Sequence, residues 1–200
     1  DNQGQFLNLF TPDSILNLAN SLRLNQLQVI GSHNSYHIAP YDSLLMIIDV
    51  VVPDLAWAID YTHLTLEEQF LYYGIRQIEL DIYRDPQGDL FANRLGNWLT
   101  GHYEDVHPDI PELYEPGLKI LHFPDIDFDT RYLTFSHALE ALKNWSDSFP
   151  EHVPVFVLIE CKSEGLEDYF DDYPYLESFM ETMQGIDTSL SYVEPIPFDL

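Results

Sequence analysis

Basic side chains are scarce in this chain of 200 residues. It contains 8 lysine and arginine residues against 34 aspartate and glutamate residues, which gives a formal net charge of −26 at pH 7. Such a surface repels phosphate backbones and anionic lipid headgroups unless a bound cation changes the local field. The composition therefore argues against nucleic-acid binding, and it limits any membrane association to a peripheral contact.

Cysteine and long apolar runs are also missing. Cys161 is the only cysteine, so no disulfide can form within the chain, and we expect its side chain in the core. The longest apolar run, residues 44–52, is interrupted by Asp49 and is shorter than the roughly 18 residues of a membrane span. The apolar content of 46% is sufficient for a sizeable core, and the length favours a single domain over residues 1–200.

Four short apolar segments each end in polar side chains. They predict strands over residues 27–31, 75–83, 118–122 and 155–160. With helices between them, the order is that of an α/β protein. We expect four parallel strands with helices, about the first half of a distorted TIM-like barrel, because a complete barrel needs about 250 residues. The chain is then incomplete at its C-terminus, or a second copy supplies the missing strands, or the sheet is open.

Capping and spacing signals predict the helices. Thr65 and Glu68 form a capping box that opens a helix through residue 73, and apolar residues at three-residue spacing predict another over about 134–148. Further helices are predicted over about 12–22 and 174–184. Residues 32–60, which contain Pro40 and Pro53, and residues 85–117, which contain four prolines and four glycines, are predicted as long irregular segments.

Carboxylates two residues apart on one strand predict a cation site. Glu79 and Asp81 point to the same face of the strand over 75–83. Asn34 and Glu160, at the ends of other predicted strands, complete an all-oxygen cluster with three formal negative charges. Such a cluster suits Ca²⁺, with Mg²⁺ as the less favoured alternative. The same spacing also fits carboxylates that face solvent or pair with a basic side chain such as Arg76.

Two histidines follow predicted strands directly. His33 and His122 therefore lie where barrel enzymes place their chemistry, and a pair of imidazoles allows one base and one acid near pH 7. Lys162 lies two residues beyond Glu160 and is a candidate for binding a substrate phosphate, although a solvent-facing lysine fits equally well. The other six histidines, His37 among them, fall in predicted loops or on helix surfaces and receive no role.

Four segments resemble, in their order and their sequences, segments of the calcium-dependent phosphatidylinositol-specific phospholipases C of bacteria and fungi. Those enzymes are related to the catalytic X region of the eukaryotic enzymes. The resemblance covers about residues 25–165. The segments are Gly31-Ser32-His33-Asn34-Ser35-Tyr36-His37, residues 74–83, residues 117–128, and residues 145–162 from Trp145 to Lys162.

This resemblance implies a distorted TIM barrel and a reaction in which the inositol 2-hydroxyl attacks the phosphodiester, releasing diacylglycerol and a cyclic inositol phosphate. By the same resemblance, His33 stabilises the pentacoordinate phosphorus and transfers a proton, and His122 is the general acid that protonates the glycerol oxygen. The positions that match the family's calcium ligands are Asn34, Glu79, Asp81 and Glu160.

Two other readings compete with this one. Glycerophosphodiesterases and sphingomyelinase D share a two-histidine barrel with a paired-carboxylate metal site, and a non-enzymatic acidic assembly or surface protein is the alternative from another class. The expected partners are an inositol phospholipid or a soluble phosphodiester, with a homo-oligomer as a further option. The chain begins at Asp1 rather than methionine, which fits a processed N-terminus, and we expect an extracellular or periplasmic protein.

Overall fold

The computed structural model describes residues 13, 17–18, 21–101 and 110–163. The predicted helix over 12–22 falls mostly outside these residues, and the one over 174–184 falls outside them entirely. The described elements are, in chain order, a 3₁₀ turn (Leu24–Gln26), α1 (Asp42–Val51), α2 (Pro53–Ile59), α3 (Leu66–Tyr72), β1 (Gln77–Asp85), α4 (Leu95–Leu99), a second 3₁₀ turn (Pro111–Leu113), β2 (Gly117–Ile120), α5 (Phe135–Ser148) and β3 (Phe156–Cys161).

The described strands form an open three-stranded sheet in the order β2-β1-β3. β3 runs parallel to β1, as predicted, but β2 runs antiparallel to it, so the prediction of four parallel strands is wrong. A parallel neighbour needs a crossover connection, usually an α-helix packed on the sheet. The described part of the connection from β1 to β2 contains only the five-residue α4 and a 3₁₀ turn.

The predicted strand over 27–31 is reduced to its last residues. Gly31 forms a single parallel bridge with Gln77, and the carbonyl of Ile30 accepts hydrogen bonds from the backbone N–H groups of Arg76 and Gln77. Residues 27–30 form no strand ladder. This contact is nevertheless sufficient to bring the segment that follows, residues 31–37, against the start of β1.

The irregular segment predicted over 32–60 contains two helices, α1 and α2. Leu44 and Ile48, one turn apart in α1, are buried against Ala56 and Ile59 of α2. Pro53 is the first residue of α2, where a missing N–H breaks no intrahelical bond, so this proline is compatible with a helix in a segment that was predicted to be irregular. Likewise, α4 lies within the segment 85–117 that was predicted to be irregular.

The helices predicted from the capping box and from the apolar spacing are confirmed. Thr65 Oγ1 accepts from the backbone N–H of Glu68 at the start of α3, and Thr134 caps α5 in the same way. Both helices pack on the sheet, where the rings of Phe70 and Trp145 lie 4.5 Å apart. This core supports the face of β1 opposite the acidic side chains described below. No helix in the described part of the chain combines the length and the apolar character that a membrane span needs.

β3 is exposed along much of its length. Cys161, expected in the core, is exposed, as are Leu158 and Ile159. The reason is topological, because within the described residues β3 pairs with β1 on one side only. The prediction of a buried cysteine assumed a further layer over this strand.

Candidate active site and metal centre

Three carboxylates converge on one face of the sheet. In the parallel register, Asp81 of β1 lies opposite Glu160 of β3, and Glu79 lies two residues earlier on β1. Paired residues of neighbouring strands share a face, so the three side chains point the same way. One carboxylate oxygen from each lies within 4.8 Å of those from the other two. Lys119, which lies in the antiparallel β2, pairs with Asp85 instead of with this cluster.

The predicted loop residues reach the same carboxylates. The backbone N–H of Ser35 donates to the carbonyl of Glu79 at 3.0 Å, and the backbone N–H of Asn34 donates to Glu79 Oε2 at 3.3 Å. Asn34 has a φ of 45°, a left-handed conformation that asparagine tolerates better than most residues. His33 Nε2 lies 3.7 Å from Glu79 Oε2, and its side chain is 73% exposed. The structure therefore places His33 at the mouth of the site.

Asp81 has the character of a cation ligand. It is fully buried, and within the described residues no hydrogen bond of good geometry reaches either of its carboxylate oxygens. Burial raises the pKa of the Asp81 carboxyl, which the charge of Lys162 partly opposes. A buried carboxylate beside two further carboxylates matches the hard-oxygen ligand set of Ca²⁺. The residues present thus fit the metal that the sequence predicted.

Lys162 contacts the carboxylate cluster directly. Its ammonium lies 3.0 Å from Glu160 Oε1 and 3.3 Å from Asp81 Oδ2. Burial lowers the pKa of Lys162, but the hydrogen bond to Glu160 and the charge of Asp81 outweigh burial, so the pKa is raised. The ammonium therefore stays charged and offsets part of the negative charge of the cluster.

His122 belongs to a second cluster of titratable groups. Its Nδ1 lies 2.6 Å from Asp127 Oδ2, and the other side of that carboxylate contacts His37 Nε2 at 2.8 Å. A tight turn makes this possible, because Phe123 and Asp127 exchange two backbone hydrogen bonds of 2.9 and 3.1 Å. The turn brings Asp127 back beside the histidine five residues before it.

Tyr61 joins the two clusters. Its hydroxyl accepts a hydrogen bond of 3.2 Å from Asn34 Nδ2, and its ring stacks on His37 with 4.3 Å between centroids. Burial raises the pKa of Tyr61, with smaller contributions from the charges of Asp127 and Asp81. Tyr61 therefore connects Asn34, which contacts the carboxylate cluster, with His37, which belongs to the histidine cluster.

A comparison with protein families identifies the family of the chain. The family model described as phosphoinositide phospholipase C, Ca²⁺-dependent, matches residues 22–193. The chain belongs to this family. No curated protein and no solved structure matches it. The family's dependence on calcium agrees with the ligand character of Glu79, Asp81 and Glu160, and it makes a phospholipase C type of phosphodiesterase the function class of the chain.

Sequence reasoning missed the two buried residues of the second cluster, His37 and Asp127. His37 was interpreted as a loop residue without a role, yet its side chain is completely buried. Asp127 was interpreted as part of an acidic turn. The available signal was the short spacing of each from a predicted catalytic histidine: His37 follows His33 by four residues, and Asp127 follows His122 by five.

We expect Asp81→Asn to abolish the thermal stabilisation that calcium gives the wild type, about 2.7 kcal/mol at a calcium concentration of 100 Kd. In the calcium-free protein the same change should raise the Tm at neutral pH. The raised pKa means that the folded state holds the Asp81 proton more tightly than the unfolded state, so this contribution to stability is lost as pH rises through the carboxyl range.

Thermal unfolding with and without calcium, over a pH series, measures both effects. Asp147→Asn is the matched control, because Asp147 lies on the exposed face of α5 and pairs there with Lys143. Persistent calcium stabilisation of the Asp81→Asn protein would remove Asp81 from the ligand set.

Lys162→Met should tighten calcium binding. The substitution removes a cation that contacts two of the carboxylates, so we expect the calcium Kd to fall on the order of tenfold. Calorimetric titration measures the change, and Lys143→Met on the surface of α5 is the control. An unchanged or higher Kd would show that Lys162 does not compete with calcium.

Proposed function

We propose that this chain is a calcium-dependent phosphodiesterase that cleaves phosphatidylinositol-type phosphodiesters to diacylglycerol and a cyclic inositol phosphate. The single observation that supports it best is the chain of contacts that links the three carboxylates, with His33 beside Glu79, to His122 through Asn34, Tyr61, His37 and Asp127. A phosphodiester cleavage needs those elements: positive charge against the phosphate, and separate groups to take and give protons.

The proposed ligands of the calcium ion are the carboxylates of the cluster together with the Asn34 side chain. They are Glu79, Asp81, Glu160 and Asn34. When bound, Ca²⁺ supplies positive charge that polarises a phosphate oxygen and lowers the pKa of an attacking hydroxyl. Lys162, which lies beside the same carboxylates, would be the side chain that contacts the substrate phosphate.

The two histidines act on different atoms of the substrate in this proposal. The inositol 2-hydroxyl oxygen forms the new bond to phosphorus, and the bond from phosphorus to the glycerol oxygen breaks. His33, exposed beside Glu79, stabilises the pentacoordinate phosphorus and transfers the proton of the attacking hydroxyl. His122, whose Nδ1 faces Asp127, acts as an imidazolium and gives its Nε2 proton to the departing glycerol oxygen.

Two further features belong to the same proposal. Family membership supports a distorted barrel as the complete architecture, in which the unpaired side of β3 would take a further strand. An extracellular or periplasmic location also fits, because calcium is more abundant there than in the cytosol.

Activity on defined substrates tests the proposal. With calcium present, we expect the chain to cleave phosphatidylinositol in preference to glycerophosphocholine or sphingomyelin, and to lose activity when calcium is chelated. His122→Asn should lower kcat by about 10²- to 10⁴-fold because the proton donor is lost. His137→Asn, on the exposed face of α5, is the matched control.

The rival functions give different results in this assay. Preference for a choline lipid would favour a glycerophosphodiesterase or a sphingomyelinase D type of enzyme. An oligomeric chain that binds calcium, cleaves none of the substrates and is unaffected by His122→Asn would favour the assembly protein.

An apolar surface on α1 and α2 supports a peripheral lipid contact. Met46, Val50 and Trp57 are 68%, 83% and 85% exposed, on the sides of their helices that face away from the buried residues. In the sequence, the two helices lie between His37 and Tyr61, and the rings of these two residues stack on each other in the candidate site. Residues 42–60 contain four aspartates and no lysine or arginine, so contact with lipid there must be apolar insertion.

Trp57→Ala should weaken binding to phosphatidylcholine vesicles that contain phosphatidylinositol, on the order of tenfold, because a large apolar side chain no longer inserts. Hydrolysis of a water-soluble inositol phosphodiester should be unchanged. Vesicle sedimentation and the two assays measure this, with Leu139→Ala on α5 as the control. Equal losses on both substrates would mean that Trp57 acts on the site and not on lipid binding.

A further inference from the structure

His37 faces hydrogen-bond acceptors with both ring nitrogens. Nδ1 lies 2.9 Å from the carbonyl oxygen of Tyr61, and Nε2 lies 2.8 and 2.9 Å from the two carboxylate oxygens of Asp127. The side chains of His37 and Asp127 are 0% and 1% exposed. A carbonyl oxygen only accepts, so Nδ1 carries a hydrogen. The second contact then also needs a hydrogen between Nε2 and the carboxylate.

Two protonation states of His37 and Asp127 supply that hydrogen, and both lead to the same tautomer of His122. Either His37 is an imidazolium against a carboxylate, or it is a neutral imidazole that accepts from a protonated Asp127 Oδ1. In both, Asp127 Oδ2 remains an acceptor, and the group 2.6 Å from it is His122 Nδ1. His122 therefore carries its hydrogen on Nδ1, and Nε2 is left as the nitrogen that can reach a substrate.

We propose that His37 and Asp127 form a positioning pair that sets the tautomer and the ring orientation of His122. Asp127 makes the contact to His122, and His37 holds the carboxylate in place and satisfies its other oxygen. The catalytic consequence rests on the proposed function, in which the free Nε2 first takes up a proton, the imidazolium gives that proton to the glycerol oxygen, and His122 returns to the form with hydrogen on Nδ1 alone. The pairing itself rests on the contacts alone.

Burial explains why two residues are needed. A carboxylate taken out of water costs several kcal/mol unless it is paired and hydrogen-bonded. Asp127 is buried, whereas the His122 side chain is 18% exposed and has to exchange protons with substrate. His37, buried and anchored through Nδ1 to the backbone of Tyr61, is a partner for Asp127 on the buried side. The Asp127 carboxylate is thus bound on its buried side by His37, and His122 contacts the same carboxylate from the more exposed side.

The anchoring of His37 gives an unusual expectation for Asp127→Asn. In that variant a neutral His37, with its hydrogen fixed on Nδ1 by Tyr61, presents Nε2 as an acceptor for the Asn amide N–H. The amide oxygen must then face His122, so the hydrogen stays on His122 Nδ1. We expect kcat within about tenfold of the wild type, whereas Asp127→Ala should lower kcat about 10²- to 10³-fold with KM within about twofold.

Nitrogen-15 NMR of the histidine rings in the calcium-free protein measures the tautomer of His122 independently of catalysis. The His122→Asn variant identifies the His122 resonances. The wild type and Asp127→Asn should both show hydrogen on Nδ1 of His122, and Asp127→Ala should show a mixture. In the double variant His37→Phe/Asp127→Asn the amide has no acceptor that orients it. That protein should lose the fixed tautomer and at least about tenfold in kcat relative to Asp127→Asn.

Several results would overturn the pair. They are a folded Asp127→Ala protein with wild-type kcat, an Asp127→Asn protein with hydrogen on His122 Nε2, and a stoichiometric transition metal bound by His37, His122 and Asp127 in the wild type. If the Asp127→Ala protein does not fold, the proposal is tested by the position of the His122 ring hydrogen in Asp127→Asn and in the double variant. An inactive wild type with hydrogen fixed on Nδ1 would defeat the proposed function while supporting the pairing.

Discussion

The parallel register of β1 and β3 determines where the negative charge of the site collects. Alternate side chains of a strand share a face, so Glu79 and Asp81 point the same way, and the pairing of Asp81 with Glu160 adds the third carboxylate. A slip of β3 by one residue would turn Glu160 to the opposite face and replace it with an apolar or sulfur-containing neighbour. The cation site therefore depends on backbone hydrogen bonds at least as much as on its ligands.

The same strand also holds the loop that carries the first histidine. Backbone contacts from Asn34 and Ser35 to Glu79 fix this loop on β1, and the loop in turn places His33 at the mouth. A single strand thus positions both the proposed metal ligands and one proposed catalytic group. The other histidine reaches the site by a different route, through the turn after β2, and Tyr61 with His37 joins the two halves.

Local patterns predicted the parts of the site that depend on local geometry. The two-residue period of a strand is sufficient to pair Glu79 with Asp81, and the capping box at Thr65 is sufficient to start α3. The direction of β2 was predicted wrongly, because it depends on whether a crossover helix covers the connection. Asp127 was missed because its contact with His122 requires a tight turn with Asp125 at a φ of 72°, which no periodic pattern reveals.

The charge of the chain constrains how the protein meets a lipid substrate. A net charge of −26 gives no general attraction to an anionic membrane, and the carboxylate cluster adds local repulsion of a phosphate until a cation offsets it. Lys162 offsets only part of that charge. A calcium ion at the cluster would therefore serve recognition as well as chemistry, because without it the phosphate of the substrate would approach three carboxylates. The exposed apolar side chains of α1 and α2 would then supply the lipid contact, because the negatively charged surface does not attract an anionic membrane.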